Sequence, residues 1–135
     1  GLAVADVVTL HVPLSDSTRN LIDDGALNQI KRGAIVVNTA RGGIVNEEAL
    51  VNALEDGRLR GAGLDTFAVE PLPVTDRLVS ERRVVLSPHN AALTEESLVA
   101  MGVMTALNAL AGLDNKLDPS LVVNRSVLKE ISNAE

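Results

Sequence analysis

The feature that most constrains this chain is a set of short apolar runs in which apolar and polar residues do not alternate. They are Asp6 to Val12 (DVVTLHV), Ala34 to Asn38 (AIVVN), Arg60 to Asp65 (RGAGLD) and Val84 to Ser87 (VVLS). A strand with one wet face alternates, whereas a continuous run rich in Val, Ile and Leu suits a strand covered on both faces, as in parallel sheets. Helical patterns separate the runs. In DDGALNQIK, acids stand at the start, Ala26, Leu27 and Ile30 follow at helical spacing, and Lys31 and Arg32 precede Gly33, which matches helix start and stop rules. Asn46 is placed to cap a second helix, EEALVNALEDG, with Gly57 just past its end. A third starts at Thr94, carries Glu95 and Glu96 in its first turn, and runs to about Gly112. Strand, helix, strand, helix, strand, loop, strand, helix is the order of an α/β fold with a parallel sheet.

The last helix is apolar almost all round from Leu98 to Leu113, which predicts burial between two bodies. A bilayer needs roughly 20 apolar residues, and Thr105 and Asn108 interrupt this run, so no membrane partner is expected. The 135 residues allow one domain, and 46% apolar residues give material for a core. Phe67 is the sole aromatic residue, so stacking on bases is not available to this chain. Twelve Lys and Arg against eighteen Asp and Glu leave a formal charge of −6, which repels phosphate backbones and argues against a nucleic-acid partner. With no Cys and two His, disulfides, thiolate metal sites and zinc fingers are excluded, and no metal site is expected. The first residues show neither a basic segment nor a signal peptide, and the expected location is cytoplasmic. A start at Gly1, running almost directly into a strand, reads as part of a longer polypeptide.

In parallel α/β sheets, ligands sit outside the carboxyl ends of the strands. The segments just past those ends are His11 to Leu14, Thr39 to Gly43, Asp65 to Pro71 and Pro88 to Ala92. They carry different chemistry: Arg41 after the second strand, Asp65 and Glu70 after the third, His89 after the fourth. Arginine can grip a carboxylate through two parallel hydrogen bonds. Histidine suits proton exchange near neutrality, and a carboxylate beside it stabilises the imidazolium. Gly42 and Gly43 would let the backbone pass close to a ligand. Taken singly, each residue has a plain structural reading: a solvated loop charge for Arg41, a turn residue for His89, a surface loop for Glu70-Pro71, a turn cap for Asp65. Their shared place at successive strand ends is what suggests a site. Gly61-Ala62-Gly63 resembles the opening of a dinucleotide fingerprint, but residue 66 is Thr and no helix starts there.

The segments NTARGGIVNEEAL, GAGLDTFAVEP and SPHNAAL together resemble the C-terminal portion of the D-isomer-specific 2-hydroxyacid dehydrogenases, from about Ala5 to Asn124. The resemblance implies the second half of a Rossmann-type NAD-binding domain over residues 1–93. It also implies a crossover helix and tail, 94–135, belonging to a substrate domain. It makes Arg41 the anchor of the substrate carboxylate, His89 the general acid and base, and Glu70 the partner that orients the imidazole. Val12, Pro13, Thr39, Ala40, Arg41, Asp65 and His89 would line the cofactor, with Asp65 on the carboxamide side of the nicotinamide. The implied cofactor is NAD, with NADP open. The implied substrate is a small 2-hydroxy or 2-keto acid of the 3-phosphoglycerate, hydroxypyruvate or glyoxylate class, and the full-length protein would be a homodimer. The glycine fingerprint of the family lies outside this sequence, so these residues alone are expected to turn nothing over. His89-Asn90-Ala91-Ala92 departs from the family's usual His-Ile-Ala-Gly or His-Ile-Gly-Ala. The same motifs also occur in non-catalytic, NAD-sensing scaffolds of the corepressor type, a second reading of the resemblance.

Overall fold

A computed structural model describes residues 1–124. The elements in chain order are β1 (Val7–Leu10), α1 (Asp24–Gln29), β2 (Ala34–Asn38), α2 (Glu47–Glu55), β3 (Leu59–Leu64), α3 (Arg77–Ser80), β4 (Val84–Leu86) and α4 (Glu95–Leu113), then a single 3-10 turn at Pro119–Leu121. The four strands form one sheet in the order β1-β2-β3-β4, every neighbouring pair parallel. The chain divides into one compact unit, Gly1–Ala92, and a second that begins at Leu93.

The predicted α/β architecture is the one observed, and its caps explain where the helices begin. Asp23 accepts the amide of Ala26 at 2.8 Å, and Asn46 that of Ala49 at 3.0 Å, each satisfying a donor that the first helical turn leaves free. Gly57, at φ 71°, ends α2 in the left-handed conformation that glycine adopts without penalty. The side chains of α2 turned inward, Ala49, Leu50, Val51, Ala53 and Leu54, are buried in the core with Val36, Leu59, Ala62 and Leu64 of the sheet.

Several expectations need correction. The strands are not buried on both faces: in β2, Ala34, Val36 and Asn38 are buried while Ile35 and Val37 are half-buried. The described residues therefore cover one face fully and the other in part. His11 lies one residue beyond β1 rather than inside it, and α1 stops at Gln29, so Lys31 and Arg32 fall outside its last turn. Part of what reads as a loop between β3 and β4 is the four-residue helix α3, capped by Asp76.

The second unit contains α4, whose cap is Thr94, accepting the amide of Ser97 at 3.2 Å. None of its side chains is buried among the described residues; Leu107 and Leu110 are 55% and 61% exposed. At 19 residues α4 is also long and apolar enough to cross a membrane by length and composition, so length does not exclude that. The end of the predicted tail, 125–135, lies outside the described residues.

Candidate active site

Register places the functional groups. Leu10 pairs with Asn38, Asn38 with Leu64 and Leu64 with Leu86, so all four strands end on one row. The residues that follow, His11, Thr39, Asp65 and Ser87, start the four loops side by side along one edge. With about 4.8 Å between neighbouring strands, the loop bearing Arg41 and the loop bearing His89, two strands apart, leave the sheet about 10 Å from each other.

Asp65 is 2% exposed and every hydrogen bond it accepts comes from the β4 loop. One oxygen takes the Ser87 hydroxyl at 2.5 Å and the amide of Asn90 at 3.0 Å; the other takes the amide of Ala91 at 3.0 Å. Burial is the largest single influence on this carboxyl and opposes its ionisation. The combined bonds from Ser87, Ala91 and Asn90, with His89 nearby, outweigh it and hold the group below the usual carboxylate range. His89 stands between these bonds at φ 53°, a left-handed conformation that non-glycine residues seldom adopt and that the surrounding bonds maintain. The bonds from residues 90 and 91 come from main-chain amides. Asparagine in place of the family's isoleucine at position 90 therefore leaves this anchoring intact.

From that position His89 turns Nδ1 to Glu70 Oε2 at 2.8 Å, while Glu70 Oε1 accepts the amide of Phe67 at 2.9 Å. The bond with His89, and then the amide of Phe67, hold the Glu70 carboxyl below its ordinary value against burial and the charge of Asp65. An ionised carboxylate only accepts, so Nδ1 carries the proton and donates it. Nε2 is left as the atom for exchange with a ligand. Both side chains remain partly open, at 45% for His89 and 37% for Glu70.

The Arg41 loop is shaped by Asn38. This buried amide donates to the Arg41 carbonyl at 2.9 Å and accepts the amide of Ala40 at 3.1 Å, closing a tight turn at the end of β2. Arg41 itself is exposed, with Nη1 on the carbonyl of Ala40 at 2.6 Å. Among the described residues no hydrogen bond joins it to Glu70 or His89. It lines a cleft of about 670 Å³ with His11, Val12, Pro13, Leu14, Thr39 and Ala40, within the usual size of small-ligand sites. Gly42 does something other than expected. A Cβ there would lie 1.8 Å from the carbonyl oxygen of Phe67 and 2.7 Å from the amide nitrogen of Ala68. It admits the backbone of the Glu70 loop, not a ligand. A Cβ at Gly43 would meet only ordinary contacts, the nearest Arg19 Nη1 at 3.5 Å, but the residue sits at φ 78°.

Residues 1–91 match the family model described as D-isomer specific 2-hydroxyacid dehydrogenase, NAD binding domain. The chain belongs to this family. It is 44% identical over 128 residues to a glyoxylate reductase of Aeropyrum pernix, covering 95% of this chain and 38% of that protein. It is 46% identical over 112 residues to an (S)-sulfolactate dehydrogenase of Chromohalobacter salexigens, covering 83% and 36%. Among solved structures, the TT0316 protein from Thermus thermophilus superposes with a TM-score of 0.82 at 42% identity, covering 87% of this chain and 38% of that one. The NAD-complexed D-isomer specific 2-hydroxyacid dehydrogenase of Lactobacillus delbrueckii ssp. bulgaricus gives 0.79 at 35%, covering 90% and 41%. The chain thus spans little more than a third of the length of its curated relatives.

In this dehydrogenase domain the predicted residues fall into two groups. Val12, Pro13, Thr39, Ala40 and Arg41 share the cleft. Asp65, Glu70 and His89 are linked through the β3 and β4 loops. Sequence reading gave no site role to Asn38 or Ser87. A polar residue closing an apolar run was the available signal for Asn38.

Proposed function

We propose that the chain is part of an NAD-dependent dehydrogenase that moves a hydride between C2 of a D-2-hydroxy acid, or the corresponding 2-keto acid, and a nicotinamide. The His89–Glu70 pair at 2.8 Å, on the same sheet edge as Arg41, carries this reading. The cleft fits the group: it lies at the carboxyl ends of parallel strands and offers both apolar and polar walls, with Val12, Pro13, Thr39 and Ala40 placed to hold the nicotinamide half; Asp65, at the neighbouring strand end and outside the cleft's lining, would stand on its carboxamide side. Bound there, the nicotinamide would accept or supply the hydride.

The protein's share is positioning and proton handling. Arg41, once its guanidinium leaves the carbonyl of Ala40, grips the substrate carboxylate in a bidentate bond and turns C2 toward the cleft. During oxidation His89 Nε2 takes the hydroxyl proton as C2 gives up its hydride and the C–O bond becomes C=O. During reduction the same nitrogen returns the proton to the carbonyl oxygen. Glu70 fixes the ring through Nδ1 and stabilises the imidazolium that forms. The substrate class we assign is glyoxylate, hydroxypyruvate or the 3-phosphoglycerate couple. Residues from 94 onward cross to the substrate domain, and the enzyme works as a homodimer.

The test is turnover of NADH and NADPH by the full-length enzyme with these acids, beside His89→Gln. The variant is expected to lose a factor of about 100 to 10,000 in kcat. Near-normal kinetics would remove His89 from its role, and NADH binding without turnover of any of these acids would favour the scaffold reading.

A further inference from the structure

Residues 65–71 carry Glu70, and residues 68–71 of this loop are exposed to solvent. Two groups from outside reach the Phe67–Ala68 main chain, one from the segment that joins β2 to α2 and one from the first turn of α2. Gly42 is in contact with the carbonyl of Phe67. Glu47, first residue of α2, accepts the amide of Ala68 at 2.6 Å. Two consecutive amides, Phe67 and Ala68, are thus held by two carboxylates, the loop's own Glu70 and the more distant Glu47.

An acid in a first helical turn ordinarily favours the helix dipole. Glu47 is spent differently. Asn46 already caps α2 through the amide of Ala49, while the Glu47 oxygen is turned outward to another loop. Burial raises the pKa of this carboxyl against the pull of the Ala68 amide, with the charges of Asp76 and Glu70 adding to the rise.

We propose that Glu47 is a positioning residue for the proton relay: it fixes the Phe67–Ala68 backbone so that Glu70 meets Nδ1 of His89. The inference rests on the dehydrogenase reading of the site. Arg41 and Glu47 lie six positions apart in the chain, so one short stretch supplies both the substrate anchor and the support of the relay.

The experiment compares Glu47→Ala, Glu47→Gln, Glu70→Ala and the Glu47→Ala/Glu70→Ala double variant in the full-length enzyme. The intact Asn46 cap leaves α2 able to form in each. Glu47→Ala is expected to lower kcat about tenfold with KM for the keto acid within about twofold. Glu47→Gln, which keeps an oxygen for the Ala68 amide, should recover to within about threefold. In the Glu70→Ala background Glu47→Ala should add less than about a factor of two, because the group it serves is gone. Unchanged kcat in Glu47→Ala, or losses that multiply in the double variant, would overturn the proposal. Should the wild-type enzyme turn nothing over, the dehydrogenase reading fails separately, and the carboxyl-carbon NMR titration of Glu70 still decides. Both variants lose the Glu47 charge and only Glu47→Gln keeps an acceptor for the Ala68 amide, so the Glu70 midpoint is expected to lie higher in Glu47→Ala than in Glu47→Gln; equal midpoints in the two variants refute the support.

Discussion

Replacing Gly42 and Gly43 by alanine, one at a time, separates two reasons for a glycine. At Gly42 the obstacle is contact: the new Cβ would lie 1.8 Å from the Phe67 oxygen, where real Cβ atoms keep at least 3.0 Å, so two backbone segments must part by at least 1.2 Å. A tight core resists one added methylene with roughly 1–3 kcal/mol. Here main chain meets main chain and no side chain can yield, so the upper end, about 3 kcal/mol, is expected. At roughly 2–4 °C per kcal/mol for a domain of 150–250 residues, Tm should fall by about 6–12 °C. A shift of about 1 Å between catalytic groups costs on the order of a hundredfold, so kcat/KM should fall by about that much, since Gly42 adjoins Arg41 and its contact adjoins the Glu70 loop. At Gly43 the nearest atom to a Cβ is Arg19 Nη1 at 3.5 Å, and the difficulty is φ 78° alone. That strain is about 1 kcal/mol, or roughly 2–4 °C, with little effect on kcat. Calorimetry and steady-state kinetics on the full-length enzyme make the comparison. A Gly42→Ala variant no less stable than Gly43→Ala would refute the contact argument.

Two further outcomes follow from the same geometry. Arg41→Lys cannot reproduce a two-pronged grip, so KM for the 2-keto acid should rise about tenfold or more with a smaller change in kcat; an unchanged KM would contradict the anchoring role. Asp65→Asn replaces an acceptor oxygen with a donor facing the β4 loop and should cost about 2 kcal/mol at neutral pH. The folded carboxyl of Asp65 is held below its unfolded value near 3.9, so its stabilisation is complete above that value and is lost as the pH falls through the folded one. Urea melts should therefore show the gap between wild type and variant closing on acidification below about pH 4; a gap that does not change with pH would count against a charged Asp65.

The sheet was legible because Val36, Val84 and their neighbours sit in continuous apolar runs, and α2 because Asn46 and Gly57 punctuate both ends locally. Arg41, Glu70 and His89 stood out because each is a distinct charge just past a strand. What stayed hidden depends on contacts between residues far apart in the chain, or on which local groups a side chain bonds. Gly42 reads as room for a ligand until Phe67 is seen against it. Asn38 reads as the end of a strand until its amide is seen bonding both ways within the turn. Glu47 reads as one of two acids opening a helix. The helix α3 has only four residues, too short for periodicity to register. The exposed surface of α4 was unreadable for another reason: an apolar sequence implies a cover but does not say whether this chain provides it.

The shortest strand, β4, has three residues, none of them buried, and among the described strands it pairs only with β3. His89 is attached just beyond it. Such an edge belongs to the part of a native structure that opens at low free-energy cost, well before global unfolding. The amide of Ser87 bonding Leu64, and the three bonds to Asp65, act as extra rungs beyond the last paired residue. The amides of Ser87, Asn90 and Ala91 should then exchange with solvent as one cooperative group. Under mild denaturant, proton-transfer competence should disappear while β1 to β3 still hold their protons.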